Sequence, residues 1–435
     1  MIKKTKGKST IFKSAAVAVM ALMLASGSIL PALSQATESE SSPPPKSLRA
    51  AITKSLKMSD GLETPDLTFS FEFTSVSVDN VPATDQNMPK IPDKTVTFTS
   101  ADAGISEDGV KIVNKESENL FADAPWKHAG VYVYTVKEAQ SVKETLSSDE
   151  SITYSQAEYK LAVFVANGDD GLYAAYVMTE VNAVDSADED TKPGDKIDVT
   201  PGGPPDGSFS QMVFTNTYFL NTGGKGPEDP ALAISKTVKS DDPNHDVADR
   251  GMLFDFEVTV TKSNLNTNAD QKYKAYVMSG KTDVVTDEEN FAGTIQSNEY
   301  GKYIEFTSGV QQTVKLKHGQ WLSFIDLEVG ASYKVTEVGK ANYTPECDQL
   351  INGTLTKIPG TQNTSLAVGE TGITSGEDRA DFINTYKTVS PVGVSVDNLP
   401  YVIFIGLILT ALAGFIIIKS RREKETKKTA DPAEE

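Results

Sequence analysis

Ala51-Ile52-Thr53-Lys54-Ser55-Leu56-Lys57 returns later in the chain as Ala233-Ile234-Ser235-Lys236-Thr237-Val238-Lys239. Both copies have the composition of a short β-strand, in which successive side chains point to opposite faces. This period places Lys54 on one face with isoleucine and leucine, and Lys236 on one face with isoleucine and valine. An uncompensated buried ammonium is costly, so each lysine is expected to lose its proton or to have a partner.

The composition excludes several classes of protein. A chain of 435 residues suits two or three domains. Its net charge of −19 argues against a nucleic-acid partner, because phosphates are bound by basic surfaces. One cysteine and three histidines cannot supply a disulfide framework or a cysteine zinc site, and they supply histidine chemistry poorly. No cofactor and no metal site are predicted.

The two ends of the chain indicate export. Residues 1–36 combine a basic start, an apolar run and a small-residue exit, which is typical of a secretory signal peptide. Near the other end, Tyr401–Ile418 is eighteen residues without a charge and is followed by a basic stretch. Such a segment is long enough to span a membrane, with its basic flank in the cytoplasm. The body is therefore predicted to lie outside the cell, anchored to the membrane at its C-terminus.

Between these ends the sequence predicts an all-β protein. Short alternating runs rich in β-branched and aromatic residues are separated by turn residues, a pattern that favours sandwiches or barrels. The same order of strands occurs twice, on either side of a stretch rich in glycine and proline. The predicted organisation is a signal peptide (1–36), a linker (37–46), a first β-domain (47–221), a linker (222–230), a second β-domain (231–388) and a C-terminal segment with the membrane helix (389–435).

A glutamate recurs at the same place in each predicted domain. Tyr132–Glu138 (YVYTVKE) resembles Tyr333–Glu337 (YKVTE). Strand alternation places Glu138 and Glu337 on the same face as tyrosine and valine. Each domain therefore has a carboxyl group on an apolar face.

An asparagine recurs in the last strand of each domain. Phe214–Tyr218 (FTNTY) resembles Phe382–Tyr386 (FINTY). Asn216 and Asn384 share their faces with phenylalanine and tyrosine. Each domain thus contains a lysine, a glutamate and an asparagine in the same order, all on apolar faces.

These three groups permit an internal acyl transfer. A desolvated lysine loses its proton and becomes a nucleophile, while a desolvated glutamate keeps its proton and acts as an acid. The lysine would attack the carboxamide, the glutamate would polarise the carbonyl and shuttle protons, and ammonia would leave. The alternative is a set of ordinary buried polar residues, but the complete set, repeated in order in two domains, favours an isopeptide bond.

At these residues the sequence resembles the Gram-positive major pilins of the streptococcal FctA type. The resemblance covers nearly the whole exported body and includes Ile152–Val165. It implies two tandem immunoglobulin-like (CnaB-like) β-sandwich domains with self-forming bonds assisted by a glutamate. The bonds it implies are Lys54–Asn216 with Glu138 as the catalytic residue, and Lys236–Asn384 with Glu337. It also implies that a sortase joins the subunits head to tail into a covalent fibre.

The chain departs from that family in two respects. Where the family has a Leu-Pro-x-Thr-Gly-like sorting signal, this sequence reads Val389-Ser390-Pro391-Val392-Gly393, with valine in place of the threonine that forms the acyl-enzyme. Sortase processing between Val392 and Gly393 is therefore a hypothesis. The family also implies an acceptor lysine just before the closing strand of the first domain. Here the nearest candidates are Lys192 and Lys196, which are expected to be solvated.

Two other features have simpler interpretations. Cys347 is interpreted as incidental, or at most an exposed thiol, and its neighbour Gln349 does not establish a thioester. The acidic stretch Asp185–Ser208 is predicted to be a solvated surface loop without the spacing of a calcium site.

The leading functional hypothesis is a pilus shaft subunit of the cell surface or cell wall, with other pilin subunits, a sortase and the membrane as its partners. The alternative is a non-polymerising adhesin or stalk protein built from the same domains. An enzyme is not predicted, because the only expected chemistry is a single self-reaction in each domain.

Overall fold

The computed structural model describes residues 48–122, 124–185, 191–202, 209–224, 226–388 and 399–428. The predicted signal peptide, the leader and the sorting-signal-like stretch Val389–Gly393 lie outside these residues. Within them the chain is built almost entirely of β-strands.

The first half of the body forms two sheets. Its strands are β1 (Thr53–Ser59), β2 (Leu67–Val78), β3 (Val81–Pro82), β4 (Lys94–Phe98), β5 (Ile105–Glu107), β6 (Val110–Glu116), β7 (Gly130–Val142), β8 (Glu150–Thr153), β9 (Glu158–Gly168), β10 (Gly171–Ala183), β11 (Lys196–Ile197) and β12 (Val213–Thr222). One sheet has the order β12-β1-β6-β5, with β8 paired to the other side of β12. The facing sheet has the order β11-β10-β9-β7-β2-β3, with β4 also paired to β2.

The second half also forms two sheets. Its strands are β13 (Leu232–Ser240), β14 (Phe254–Thr261), β15 (Lys272–Ser279), β16 (Asp283–Val284), β17 (Ile295–Asn298), β18 (Gly301–Thr307), β19 (Gln312–Leu316), β20 (Gln320–Ile325), β21 (Leu327–Glu328), β22 (Ser332–Glu337), β23 (Tyr343–Ile351), β24 (Thr354–Pro359), β25 (Leu366–Gly372) and β26 (Asp378–Tyr386). The larger sheet has the order β17-β18-β15-β20-β13-β26-β23-β24, with β16 beside β15, and the smaller has the order β19-β14-β22-β25.

In each half the first and last strands are parallel neighbours. Lys54 of β1 lies opposite Phe214 of β12, so Asn216 is two residues further along the same face. Lys236 of β13 lies opposite Phe382 of β26 in the same register. Because side chains repeat with a period of two, this register brings the lysine and the asparagine to the same face of adjacent strands.

Aromatic side chains pack between the facing sheets. Phe71 of β2 contacts Phe214 of β12, with ring centroids 5.0 Å apart. Phe256 of β14 makes the corresponding contact with Phe382 of β26 at 5.2 Å. Each half therefore has its own sandwich core, and the prediction of an all-β chain with two tandem β-sandwiches is confirmed.

The two sandwiches share backbone hydrogen bonds at their junction. β21 pairs with the end of β12, so a short strand of the second half extends the sheet of the first. Val329 is buried against the core of the first half, and its carbonyl accepts a 2.5 Å hydrogen bond from the hydroxyl of Ser59. This junction continues directly from the strand that carries Asn216.

Beyond the second sandwich, the described residues contain one long helix, α1 (Leu399–Lys428). It includes a candidate membrane span of 25 residues, whose most apolar window of 18 residues has a mean hydropathy of 2.7, long and apolar enough to cross a membrane. The helix covers the predicted segment Tyr401–Ile418 and is compatible with a membrane anchor.

Candidate functional site: two buried Lys–Glu–Asn clusters

The first cluster joins Lys54, Glu138 and Asn216 at the centre of the first sandwich. Lys54 Nζ lies 2.9 Å from Glu138 Oε1, and Asn216 Nδ2 donates to the same oxygen at 3.1 Å. Lys54 Nζ also donates to the carbonyl of Phe214 at 3.1 Å. Lys54 and Asn216 are 0% exposed and Glu138 is 5% exposed, so the cluster is shielded from solvent.

The second cluster repeats this arrangement with Lys236, Glu337 and Asn384. Both Lys236 Nζ and Asn384 Nδ2 lie 2.7 Å from Glu337 Oε1. All three residues are buried. The structure thus brings together the lysine, glutamate and asparagine of both predicted isopeptide sets, one set in each sandwich.

Each cluster forms where the two sheets of a sandwich face each other. The lysine and asparagine come from the parallel first and last strands of one sheet, whereas Glu138 and Glu337 come from β7 and β22 of the opposite sheet. Each glutamate lies beside a core phenylalanine of the neighbouring strand, namely Phe71 and Phe256. The three polar groups can meet only once both sheets have packed.

Burial changes the protonation of the lysines. It lowers the pKa of Lys54 and of Lys236 to about 8, although the nearby Glu138 and Glu337 act in the opposite direction. A buried amine is thereby brought much closer to its neutral, nucleophilic form.

The glutamates shift the other way. Burial raises the pKa of Glu138 and of Glu337, and this effect is opposed mainly by Lys54 and Lys236 respectively. In each carboxyl group Oε1 receives both hydrogen bonds, while Oε2 is buried and has no partner among the described residues. That oxygen is a place where a proton can reside, which suits a glutamate that acts as an acid.

Two phenylalanines that sequence reasoning missed complete the clusters. Lys54 Nζ lies 4.6 Å from the ring centroid of Phe69, and Lys236 Nζ lies 4.2 Å from that of Phe254. An aromatic face attracts the cationic form of an amine, so each ring helps to hold the lysine in place. The signal was available, because Phe-Ser-Phe at residues 69–71 and Phe-Asp-Phe at 254–256 follow the lysine strand in both domains.

The arrangement contains the reactants of an amide exchange. A lysine with a lowered pKa, a carboxyl group with a raised pKa and a carboxamide share one dry pocket, and the carboxyl oxygen lies within hydrogen-bond distance of both nitrogens. The carboxyl group can therefore take a proton from one nitrogen and give a proton to the other.

Other residues named from the sequence have different surroundings. Cys347 is fully buried in the second core, where burial raises its pKa to about 12, so the alternative of an exposed thiol is wrong. Its place on β23 opposite Phe382 explains this, because that face of the strand points into the sandwich. Lys192 and Lys196 are exposed. In the part of the chain that the structure describes, no group of three metal-ligating side chains is found.

Two described residues of the acidic stretch predicted to be a surface loop, Asp185 and Val199, are packed against the first sandwich. Asp185 accepts hydrogen bonds from the backbone of Gln156 and of Thr215, the residue before Asn216. Val199 is buried in the core. The stretch therefore contributes contacts as well as solvated surface.

Two family models match separate ranges of the chain. Residues 50–219 match the FctA family, described as the Spy0128-like isopeptide containing domain. Residues 230–386 match a domain of unknown function, DUF7601. No curated protein matches the chain.

Three solved structures illustrate the similarity. The major pilin from Streptococcus pyogenes is 18% identical with a TM-score of 0.32, and the match covers 79% of this chain and all of the pilin. The major pilin T3.2 from the same species is 17% identical with a TM-score of 0.29, covering 79% of this chain and 99% of the pilin. The pilus-presented adhesin Spy0125 (Cpa) is 10% identical with a TM-score of 0.25, covering 79% of this chain and all of the adhesin.

The family match places the first sandwich among structural modules rather than enzymes. Its matched range contains Lys54, Glu138 and Asn216 and excludes the second cluster. Residues 50–219 of this chain are therefore similar to the FctA family of Spy0128-like isopeptide-containing domains, and the resemblance to FctA-type pilins drawn from the sequence is confirmed.

Proposed function

We propose that the protein is a pilus shaft subunit in which each β-sandwich is closed by a self-formed isopeptide bond. The bonds join Lys54 to Asn216 and Lys236 to Asn384, with Glu138 and Glu337 as the catalytic carboxyl groups. The observation that carries this proposal is the meeting of Lys, Glu and Asn in a buried pocket of both sandwiches, at distances of 2.7–3.1 Å from one carboxyl oxygen.

The reaction balances with the groups present. The lysine ammonium first gives a proton to the glutamate, and the neutral amine then attacks Cγ of the asparagine. A new Nζ–Cγ bond forms. The protonated glutamate then gives its proton to Nδ2 and takes the second proton from Nζ, and the Cγ–Nδ2 bond breaks. One ammonia leaves for each bond and takes a proton from the glutamate to become ammonium, so the glutamate acts without being consumed.

Bond formation is expected to slow as pH rises above about 8 and to slow again in acid. The pair must hold one proton between its lysine and its glutamate, since the amine has to be neutral and the carboxyl group has to act as the acid. The lowered pKa of Lys54, about 8, marks where this shared proton is lost. Below the raised pKa of Glu138 both groups are protonated and the nucleophile disappears.

This pH profile can be measured by quenching freshly translated protein at fixed times and determining its intact mass, which falls by one ammonia for each bond formed. A rate that rises steadily from pH 8 to pH 10, as expected for a simple amine nucleophile, would contradict the shared-proton mechanism.

The positions of the bonds suit a protein that is pulled from both ends. Lys54 is near the start of β1 and Asn216 is near the middle of β12, so tension entering at one end can pass through the bond and leave by β12. About 160 residues between the bonded pair lie outside that path. A sandwich closed in this way should resist extension, as a load-bearing shaft requires.

We also propose that the subunits are joined into a covalent fibre. The predicted signal peptide and helix α1 support an exported body held at the membrane, and the FctA match supports other pilin subunits as partners. Transfer by a sortase would then cut between Val392 and Gly393 and join the new C-terminus to a lysine of the next subunit. The valine at position 392 makes this step the one most in need of a direct test.

In cells with active sortases, the protein is expected to form a ladder of heavy covalent species on a denaturing gel. Deleting the sortase genes should collapse the ladder to one band, and Lys192→Ala and Lys196→Ala would test the nearest exposed lysines as acceptors. A single monomeric band in sortase-positive cells, still carrying helix α1, would contradict polymerisation and favour the non-polymerising adhesin.

A further inference from the structure

The carbonyl oxygen of Asn216 has a donor that does not belong to the Lys–Glu–Asn cluster. The backbone N–H of Ser155 donates to Asn216 Oδ1 at 2.7 Å. Ser155 is 3% exposed and Asn216 is 0% exposed, so the hydrogen bond lies in a dry environment. With Oδ1 held by Ser155, the amide nitrogen of Asn216 points to Glu138.

Asp185 holds Ser155 in this position. Its carboxylate oxygens accept hydrogen bonds from the hydroxyl of Ser155, both at 2.9 Å, and from the N–H of Gln156 at 2.7 Å. It also accepts from the N–H of Thr215 at 3.0 Å. One carboxylate thus ties the loop that contains the donor to the strand that contains Asn216.

The second sandwich differs at this point. Asn384 Nδ2 contacts Glu337 as in the first cluster, but Asn384 Oδ1 is buried and receives no hydrogen bond from the described residues. The difference follows from strand length. β8 ends at Thr153, two residues before Ser155, which leaves the N–H of Ser155 free to face the side chain. Its counterpart β23 stays paired with β26 as far as Ile351.

We propose that the Ser155 N–H is a catalytic donor for the first bond, positioned by Asp185, and that the Lys54–Asn216 bond consequently forms before the Lys236–Asn384 bond. This inference rests on the proposed isopeptide chemistry. When Lys54 Nζ adds to Cγ, the carbonyl electron pair moves to Oδ1, and the preset N–H stabilises the negative charge that develops there. A fixed donor of this kind typically accelerates acyl transfer by roughly 10²–10³.

The order can be measured in the unaltered full chain. Protein from cell-free translation is quenched at successive times, digested, and analysed for the branched peptides that contain Lys54–Asn216 and Lys236–Asn384. We expect the first branched peptide to reach completion at least about ten times sooner, a threshold set below the effect that is typical of one donor. Equal rates, or earlier formation of the second bond, would overturn the inference.

Replacing the peptide N–H of residue 155 by an ester oxygen removes the donor and keeps the serine side chain, and its other effect is to weaken the Tyr154 carbonyl as an acceptor for Gln156. It should slow the first bond by about tenfold or more, with the second bond in the same molecule as an internal control. An unchanged first rate would refute the role of Ser155. Asp185→Ala should slow the first bond as well, and Asp185→Glu should recover part of the rate, whereas slowing of both bonds to the same extent would indicate a folding defect and refute the positioning role.

Failure of the underlying chemistry has a different signature. If neither branched peptide appears at any time, the isopeptide proposal itself is wrong. If both appear without the expected order, only the role of Ser155 is wrong.

Discussion

Asn216→Ala is expected to lower the free energy of unfolding of the first sandwich by roughly 5 kcal/mol. That is the chain-entropy value for a cross-link closing a loop of about 160 residues. For a domain of this size the loss corresponds to a fall in melting temperature of roughly 10–20 °C. The variant keeps the Lys54–Glu138 pair, so it removes the bond without leaving a buried charge unpaired. Asn384→Ala should have a similar effect on the second sandwich.

The matched controls come from the repeated heptads. Lys57 is half-buried and Lys239 is exposed, each on the other face of the strand from Lys54 or Lys236. Lys57→Ala and Lys239→Ala should therefore change stability by less than about 1 kcal/mol, as surface substitutions usually do. Denaturant or calorimetric melts would measure both sets. A loss of less than about 1 kcal/mol for Asn216→Ala would show that no bond forms there.

Under force, the unaltered protein is expected to show no unfolding extension from either sandwich. With the bond in place, the residues between Lys54 and Asn216 are not in the path of tension. Asn216→Ala should release them in one step of roughly 550 Å, because an extended chain gains about 3.3–3.6 Å for each of about 160 residues. Asn384→Ala should release a slightly shorter segment of the second sandwich.

Single-molecule pulling through tags at the two ends of the body would measure these steps. The double variant should show two releases, and the heptad controls should show none. Releases of this size in the unaltered protein would contradict the proposed bonds in the sandwiches that extend.

Much of the candidate site could be predicted because it depends on strand parity and repetition. In β13 burial alternates residue by residue, as the period-two reading of Lys236 requires. In β1 it does not, since Thr53 and Ser55 are also buried. The hydroxyl of Thr53 donates to the carbonyl of Ser210, so the segment before β12 covers the second face. The choice of Lys54 therefore depended on its apolar neighbours and on the clearer second copy.

The parts that could not be predicted come from chain segments distant in sequence. Ser155, in a loop, donates to Asn216, and Asp185, just after a long strand, accepts from the neighbouring Thr215; no periodic pattern marks such contacts. Strand β6 was missed as well. Its sequence, Val-Lys-Ile-Val-Asn-Lys-Glu, alternates weakly because it pairs with β1 while much of it stays half-exposed. The alternation of residues in a strand identifies which side chains face a core. Which polar groups from distant segments contact those side chains depends on how the loops fold back.

The most direct test of the central claim is the intact mass of the recombinant exported body. The account predicts a mass lower than that of the unmodified chain by two molecules of ammonia. Lys54→Ala or Glu138→Ala should each restore one of them, and so should Lys236→Ala or Glu337→Ala. A mass equal to that of the unmodified chain would contradict the account.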